Sequence, residues 1–235
     1  MNQPQRSLEK YFYFFMALLI PAIVIYGFSF TIGQNLIHPA IPRPRLLYVH
    51  AAVFSGWLVL LLVQSVLVRT QNVAIHRVLG LFGFAHGIAI PLVGFSIAIV
   101  MTRFDGTQLH MASATADMIV PFWDMVAFST AFGLAMYWRK KPEFHRRLIL
   151  VASCCLTAAA FGRFPAKILP PTIFYAGVDV LVLFGVVRDW LVNRRVHPVY
   201  LCALPVLVLG QTFVMYTDLH SSAWWMRLAH ALIAS

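Results

Sequence analysis

Charged residues are scarce in this chain. Asp, Glu, Lys and Arg make up 11% of its 235 residues, and only 8 residues are acidic. A soluble domain carries roughly 25% charged residues, so this chain lacks the polar surface that water would require. Cysteine is nearly absent. Cys154, Cys155 and Cys202 fall in apolar stretches without a C-x-x-C spacing, which excludes a disulfide framework and leaves them as small apolar residues. No apolar run contains a lysine, which excludes a retinal-type Schiff base. The chain has no H-E-x-x-H, no G-x-x-x-x-G-K-[ST], no G-x-S-x-G and no C-x-x-C-H. The chemistries those motifs announce therefore have no support in the sequence.

What the chain has is hydrocarbon. It is 60% hydrophobic, with a mean hydropathy of +0.78. The apolar residues come in long runs, and a spanning helix needs about 20 of them. Seven runs qualify, at 11–32, 46–68, 78–101, 113–137, 147–163, 172–190 and 197–217. The expectation is an all-α integral membrane bundle of seven transmembrane helices, filling residues 1–235 as one domain. The lipid bilayer is its first partner.

The net charge is +10. In a soluble chain that would point to nucleic acid; here the distribution of basic residues across the membrane accounts for it, and no nucleic acid is expected. With the N-terminus inside, twelve Lys and Arg fall on the inner side, from Arg6 and Lys10 to Arg194 and Arg195. Six fall outside: Arg43, Arg45, Arg103, Arg163, Lys167 and Arg227. That asymmetry predicts an N-in, C-out protein of the bacterial inner membrane. The first run is longer than a signal-peptide core and no A-x-A-like site follows it, so it reads as a retained helix. Residues 221–235, with Trp224, Trp225, Arg227 and His230, read as an amphipathic tail at the outer interface.

Proline punctuates these runs. Pro39, Pro42 and Pro44 make the first loop extended, and Pro21, Pro91, Pro121 and Pro205 lie inside spans, where each predicts a kink. A weak repeat is also present. Ile75-His76-Arg77 opens the third span and Phe144-His145-Arg146 opens the fifth; Trp57 lies seven residues after His50, as Asp124 does after Asp117. One hairpin used twice in parallel would produce this pattern.

Ionisable residues in hydrocarbon cost a few kcal/mol or more and mark function. His50, Asp117, Arg163 and Asp179 are such residues, each in the outer third of its span. Facing one another, they would form a polar cluster in which Arg163 balances Asp117 or Asp179. Their chemistry suits several divalent ions, so no metal is named; the other reading is that the cluster merely ties helices together. His50, Trp57 and Gln64 share one helical face, and Asp124 extends the Asp117 face towards mid-bilayer. His86 lies near mid-span, and His76 and His145 lie at the inner mouth. His50, His76, His86 and His145 are the candidate ligands of a haem b, although His50 and His86 differ in depth. The alternatives are a hydrogen-bonded core histidine at His86 and ordinary basic flanks at His76 and His145. His38, His110, His197, His220 and His230 are assigned no role.

The His50 helix, the turn His76-Arg77-Val78-Leu79-Gly80 and the helix His145-Arg146-Arg147 with Arg163 resemble a group of uncharacterised bacterial multi-pass membrane proteins. That resemblance implies an integral membrane protein and brings no established activity. A fainter similarity links His50, His86 and the run Gly94-Phe95-Ser96-Ile97 to cytochrome b561-type proteins. It implies haem and electron transport, with a quinone or other small molecule as partner. Asp117 and Asp124 stand on the fourth span where that family has its later histidines, which speaks against two haems. The opposing expectation is a non-catalytic small-molecule carrier or membrane-complex subunit working through the outer polar cluster.

Overall fold

The structure, a computed structural model, describes residues 3–234, with side chains described for residue 8 and from residue 10 onward. Arg6, counted above, has its side chain outside the described residues. In chain order the helices are α1 Gln3–Ser29, α2 Arg45–Arg69, α3 Val73–Gln108, α4 Ala114–Asp117, α5 Ile119–Tyr137 and α6 Pro142–Cys155. They continue with α7 Ala158–Phe161, α8 Tyr175–Asn193, α9 Pro198–Leu219 and α10 Ala223–Ala234. No strand occurs among the described residues. Six segments are long and apolar enough to cross a membrane: Lys10–Ser29, Arg45–Arg69, Val73–Gln108, Ala114–Tyr137, Pro142–Phe161 and Pro198–Leu219. The chain is a multi-pass helical membrane protein.

The expected sixth span, 172–190, corresponds to α8. It has 19 residues, and Asp179, Arg188 and Asp189 make it too polar to join the six. The third span is longer than expected, with 36 residues. The fourth is interrupted at Met118, between α4 and α5. Pro121 explains this: it has no N–H to give the Asp117 carbonyl, so the ladder fails one turn earlier. The fifth is interrupted after Cys155, where the Cys154 carbonyl accepts from both the Thr157 hydroxyl at 2.6 Å and the Thr157 backbone N–H at 3.0 Å.

Three antiparallel hairpins, α2–α3, α5–α6 and α8–α9, supply most of the bundle, and α1 packs against α2, α6, α7 and α8. The Pro142–Phe161 segment is the axis: 67% of its most apolar stretch is buried, against 11% for α2. The core joins Met16 and Ile20 of α1, Trp57 of α2, Ile90 of α3, Phe128 and Phe132 of α5, Val151 of α6 and Val182 of α8. Small residues allow the closest approaches. A Cβ on Gly27 would lie 2.3 Å from the Ala160 carbonyl oxygen, and one on Gly185 would lie 2.4 Å from the Tyr200 ring.

The tail expected over 221–235 is the helix α10, docked rather than loose. Trp225 is buried and its indole N–H donates to the carbonyls of Thr115 (3.2 Å) and Ala116 (3.1 Å). Ser235 lies outside the described residues. The bundle thus has two chemically distinct ends. At the basic end α2, α5 and α8 finish and α3, α6 and α9 begin. The acidic end holds the opposite termini together with α4 and α10.

Candidate functional site

At the acidic end the carboxyl groups gather. Asp117 accepts from the Ser113 hydroxyl at 2.9 Å, and its carboxyl lies within hydrogen-bonding reach of Asp218 on α9. Asp105 of α3 is close enough to Asp117 for their charges to interact, and Arg43 stands 3.8 Å from Asp105. Deeper in the bundle, Asp124 is 8% exposed and accepts from the Tyr175 hydroxyl at 2.9 Å. Asp179 lies close to the Gln211 side chain and keeps a buried Oδ1 without a partner. Five of the eight acidic residues therefore lie in this half, and Arg43 is the one cation paired with any of them among the described residues.

The predicted cluster does not close as one network. Arg163 donates to the Ala159 carbonyl of its own helical segment and covers the Phe28 ring at 4.4 Å. It forms no ion pair with Asp117 or Asp179. The geometric reason is that Arg163 follows α7 against α1, whereas the acids face α3, α8 and α9. His50 stays on Arg163's side, near enough to sense its charge, with its ring 4.1 Å from Phe54.

Along α2, Trp57 and Gln64 both reach histidines of α3. Trp57 donates to the Ser153 hydroxyl at 3.2 Å and stacks on His86. With its amide oriented so that donor meets acceptor, Gln64 donates to His76 Nδ1 and accepts from the Gly80 N–H at 3.2 Å. His86 Nε2 bonds the Val53 carbonyl at 2.8 Å, joining α3 to α2. His145 Nδ1 bonds the Ala135 carbonyl at 3.0 Å, joining α6 to α5, and His76 and His145 are close enough for their charges to interact. Each histidine at the start of a returning helix is thus tied to the helix before it.

The most completely built site was not foreseen. At the basic end, Arg147 is 1% exposed and grips Asp189, 0% exposed, with Nε to Oδ2 at 2.8 Å and Nη2 to Oδ1 at 2.7 Å. Its Nη1 donates to the Glu143 carbonyl at 2.8 Å and to Glu143 Oε2 at 2.6 Å. Asp189 also accepts from Arg188 Nη1 at 2.8 Å and from the His197 backbone N–H at 3.3 Å. This is forked, charge-assisted pairing across α6, α8 and the start of α9. Arg188 has two buried nitrogens, Nε and Nη2, without a partner, and lies over the Tyr13 ring. His197, assigned no role from sequence, caps α9 by accepting from the Val199 N–H at 3.2 Å. Burial, and then the Arg147 guanidinium, hold its imidazole below the ordinary value. The sequence signal was available: Arg147 opens one expected span and Asp189 closes the next, so the two share a depth.

Among the described residues no three His, Cys, Asp or Glu side chains converge to hold a metal ion. No family model, no curated protein and no solved structure matches the chain.

Proposed function

We propose that the protein is a seven-span, N-in carrier of the bacterial inner membrane, non-catalytic, whose buried carboxyls take up protons from the acidic end. The observation behind this reading is Asp124: a carboxyl in the bundle interior, bonded to a phenol and in no ion pair among the described residues. An unpaired carboxylate in such a setting is costly enough that the group holds a proton instead. The acids at 105, 117 and 218 give that proton a route to the surface, since chains of intramembrane carboxyls serve as relays. The test is infrared spectroscopy with proton-flux measurements in liposomes. The protein should show the carbonyl band of a protonated carboxyl, and Asp124→Asn should remove both that band and the flux. Band and flux unchanged in the variant would end this reading.

The span that completes the seven is α8. At 1.5 Å per residue its 19 residues reach about 28 Å, close to the roughly 30 Å of hydrocarbon. Its charges meet partners inside the bundle. Reporter fusions at the two chain ends should fall on opposite sides of the membrane. The motifs around His50, His76 and His145 keep the kinship with the bacterial multi-pass group as part of this proposal.

A second reading is a haem b site for electron transfer at the basic end. The observation in its favour is His145, whose Nδ1 is held by a backbone carbonyl, the arrangement that fixes metal-ligating imidazoles. His76 beside it would be the partner, after surrendering its bond to Gln64; His86 is committed to Val53, and His50 sits at the other end. A Soret band in protein made with haem supply, lost in His145→Ala, supports this reading, and no band removes it.

A further inference from the structure

Two cavities meet at the basic end, and their chemistries are opposite. One is a groove of about 410 Å³ between α5, α6 and α9, with Trp123, Trp138, Phe144, Val151, Ala203 and Leu207 among its walls. The other is a pocket of about 370 Å³ whose charged and polar walls are Glu143, Arg146, Arg147, Asn193, Arg195 and His197. Pro198 borders both. The groove opens sideways from the bundle, since Val126 and Val206 on its rim are exposed, so it is entered from hydrocarbon. Along α5 it runs from Trp123 to Trp138, about 22 Å at 1.5 Å per residue, longer than the roughly 15 Å depth of one leaflet's hydrocarbon. Trp138 marks the interfacial level, where amphipathic rings collect.

The pocket carries excess positive charge. Arg146, Arg147 and Arg195 line it with Arg188 behind them, against Glu143 and the buried Asp189. Arg195 takes part in no ion pair among the described residues, and Arg146 keeps a buried Nε without a partner. An occupant that satisfies both cavities has an apolar chain and an anionic head joined at the membrane interface. We propose that this is a binding site for an anionic glycerophospholipid, with an acyl chain in the groove and its phosphate against Arg146 and Arg195. Basic pockets between helices at an interface recognise such headgroups.

Tryptophan quenching reads this site directly, because Trp123 and Trp138 line the groove. The full-length protein is placed in phosphatidylcholine vesicles containing brominated-chain phosphatidylglycerol or brominated-chain phosphatidylcholine. The signal belonging to the groove is the part lost in Trp138→Phe. Brominated phosphatidylglycerol should quench at a lower mole fraction, with a preference of roughly five-fold per arginine. Arg146→Gln and Arg195→Gln, both at the pocket surface, should each remove about that factor, and Ala203→Phe should abolish the preference by filling the groove with charge unchanged. Equal quenching by the two lipids overturns the proposal. So does a preference that survives Ala203→Phe, which would be surface attraction only, or one abolished by added inorganic phosphate, which would make free phosphate the ligand. Should Ala203→Phe fail to fold, the arginine variants and the phosphate arm still decide.

Discussion

The two ends of the bundle solve the same problem in opposite ways. At the basic end, Arg147 and Asp189 are both buried and bind one another through two short hydrogen bonds, with Arg188 and Glu143 attached. Charges of both signs compensate there. At the acidic end, Asp117 accepts from a hydroxyl and Asp124 from a phenol, while Asp179 and Asp218 each keep a buried oxygen without a partner. Cations are sparse there, with Arg43 paired to Asp105 alone among the described residues. The basic end is therefore compensated by opposite charges, and the proposed function assigns the acidic end a change of protonation.

The largest effect should come from breaking the compensated end. Asp189→Asn leaves Arg147 and Arg188 buried beside a neutral amide, and one uncompensated member of a buried pair costs about 3–5 kcal/mol. The thermal midpoint in detergent should fall accordingly, and Arg147→Met with Asp189→Asn should cost less than the sum of the single changes. Additive losses would mean that the pair is not the lock it resembles.

Packing under that lock gives the next effect. Gly185→Ala places a Cβ 2.4 Å from the Tyr200 ring, and overpacking of this kind costs about 1–3 kcal/mol. Gly133→Ala meets no atom within 4 Å and should leave the midpoint unchanged or slightly raised.

At the acidic end Asp124→Asn keeps an acceptor for the Tyr175 hydroxyl and, on the proposal that Asp124 holds a proton, changes no charge. The loss should stay near or below about 1 kcal/mol. A loss as large as that of Asp189→Asn would erase the difference between the ends and make Asp124 a carboxylate.

The smallest effect is one of pH. His197 has its imidazole held below the ordinary value by burial and by Arg147, so the unfolded chain binds its proton more readily. This contribution is fully present above about pH 6.5, the unfolded value, and is lost as pH falls towards the lower folded value. Protonation also removes the acceptor that caps α9, a cap of about 1 kcal/mol. Midpoints measured between pH 8 and 5 should decline less steeply in His197→Asn.

Much of the fold was legible because hydrocarbon is: six of the seven expected runs became helices of spanning length and apolarity. Two breaks were only half legible. Pro121 was read as a kink, and it stops α4 outright because it withholds an N–H from Asp117; nothing in the run 147–163 announced the turn that Thr157 makes. The tail's Trp225 suggested an interfacial segment, but its docking on α4 depends on the Thr115 and Ala116 carbonyls that its indole reaches. The candidate site was read unevenly. Facing positions along one helix, such as Trp57 and Gln64, follow from the 3.6-residue period. Which helices face one another does not, so Arg163 was paired with the wrong partners. Arg147, Arg188 and Asp189 were overlooked because a basic flank is the ordinary end of a span.

The polarity of α8 has a consequence for how the protein is made. Near mid-bilayer each Asp or Arg opposes insertion of a helix by about 2.5–3.5 kcal/mol on a translocon scale, less towards the ends where Arg188 and Asp189 lie, and α8 carries three such residues. On its own it is a poor candidate to leave the translocon for lipid. The guanidinium that receives Asp189 belongs to α6, which is synthesised first, so an α8 that spans as proposed enters a bundle already holding its counter-ion. The order of the helices along the chain is then also an order of assembly. A chain whose α6 lacks Arg147 would offer α8 no such counter-ion when it emerges.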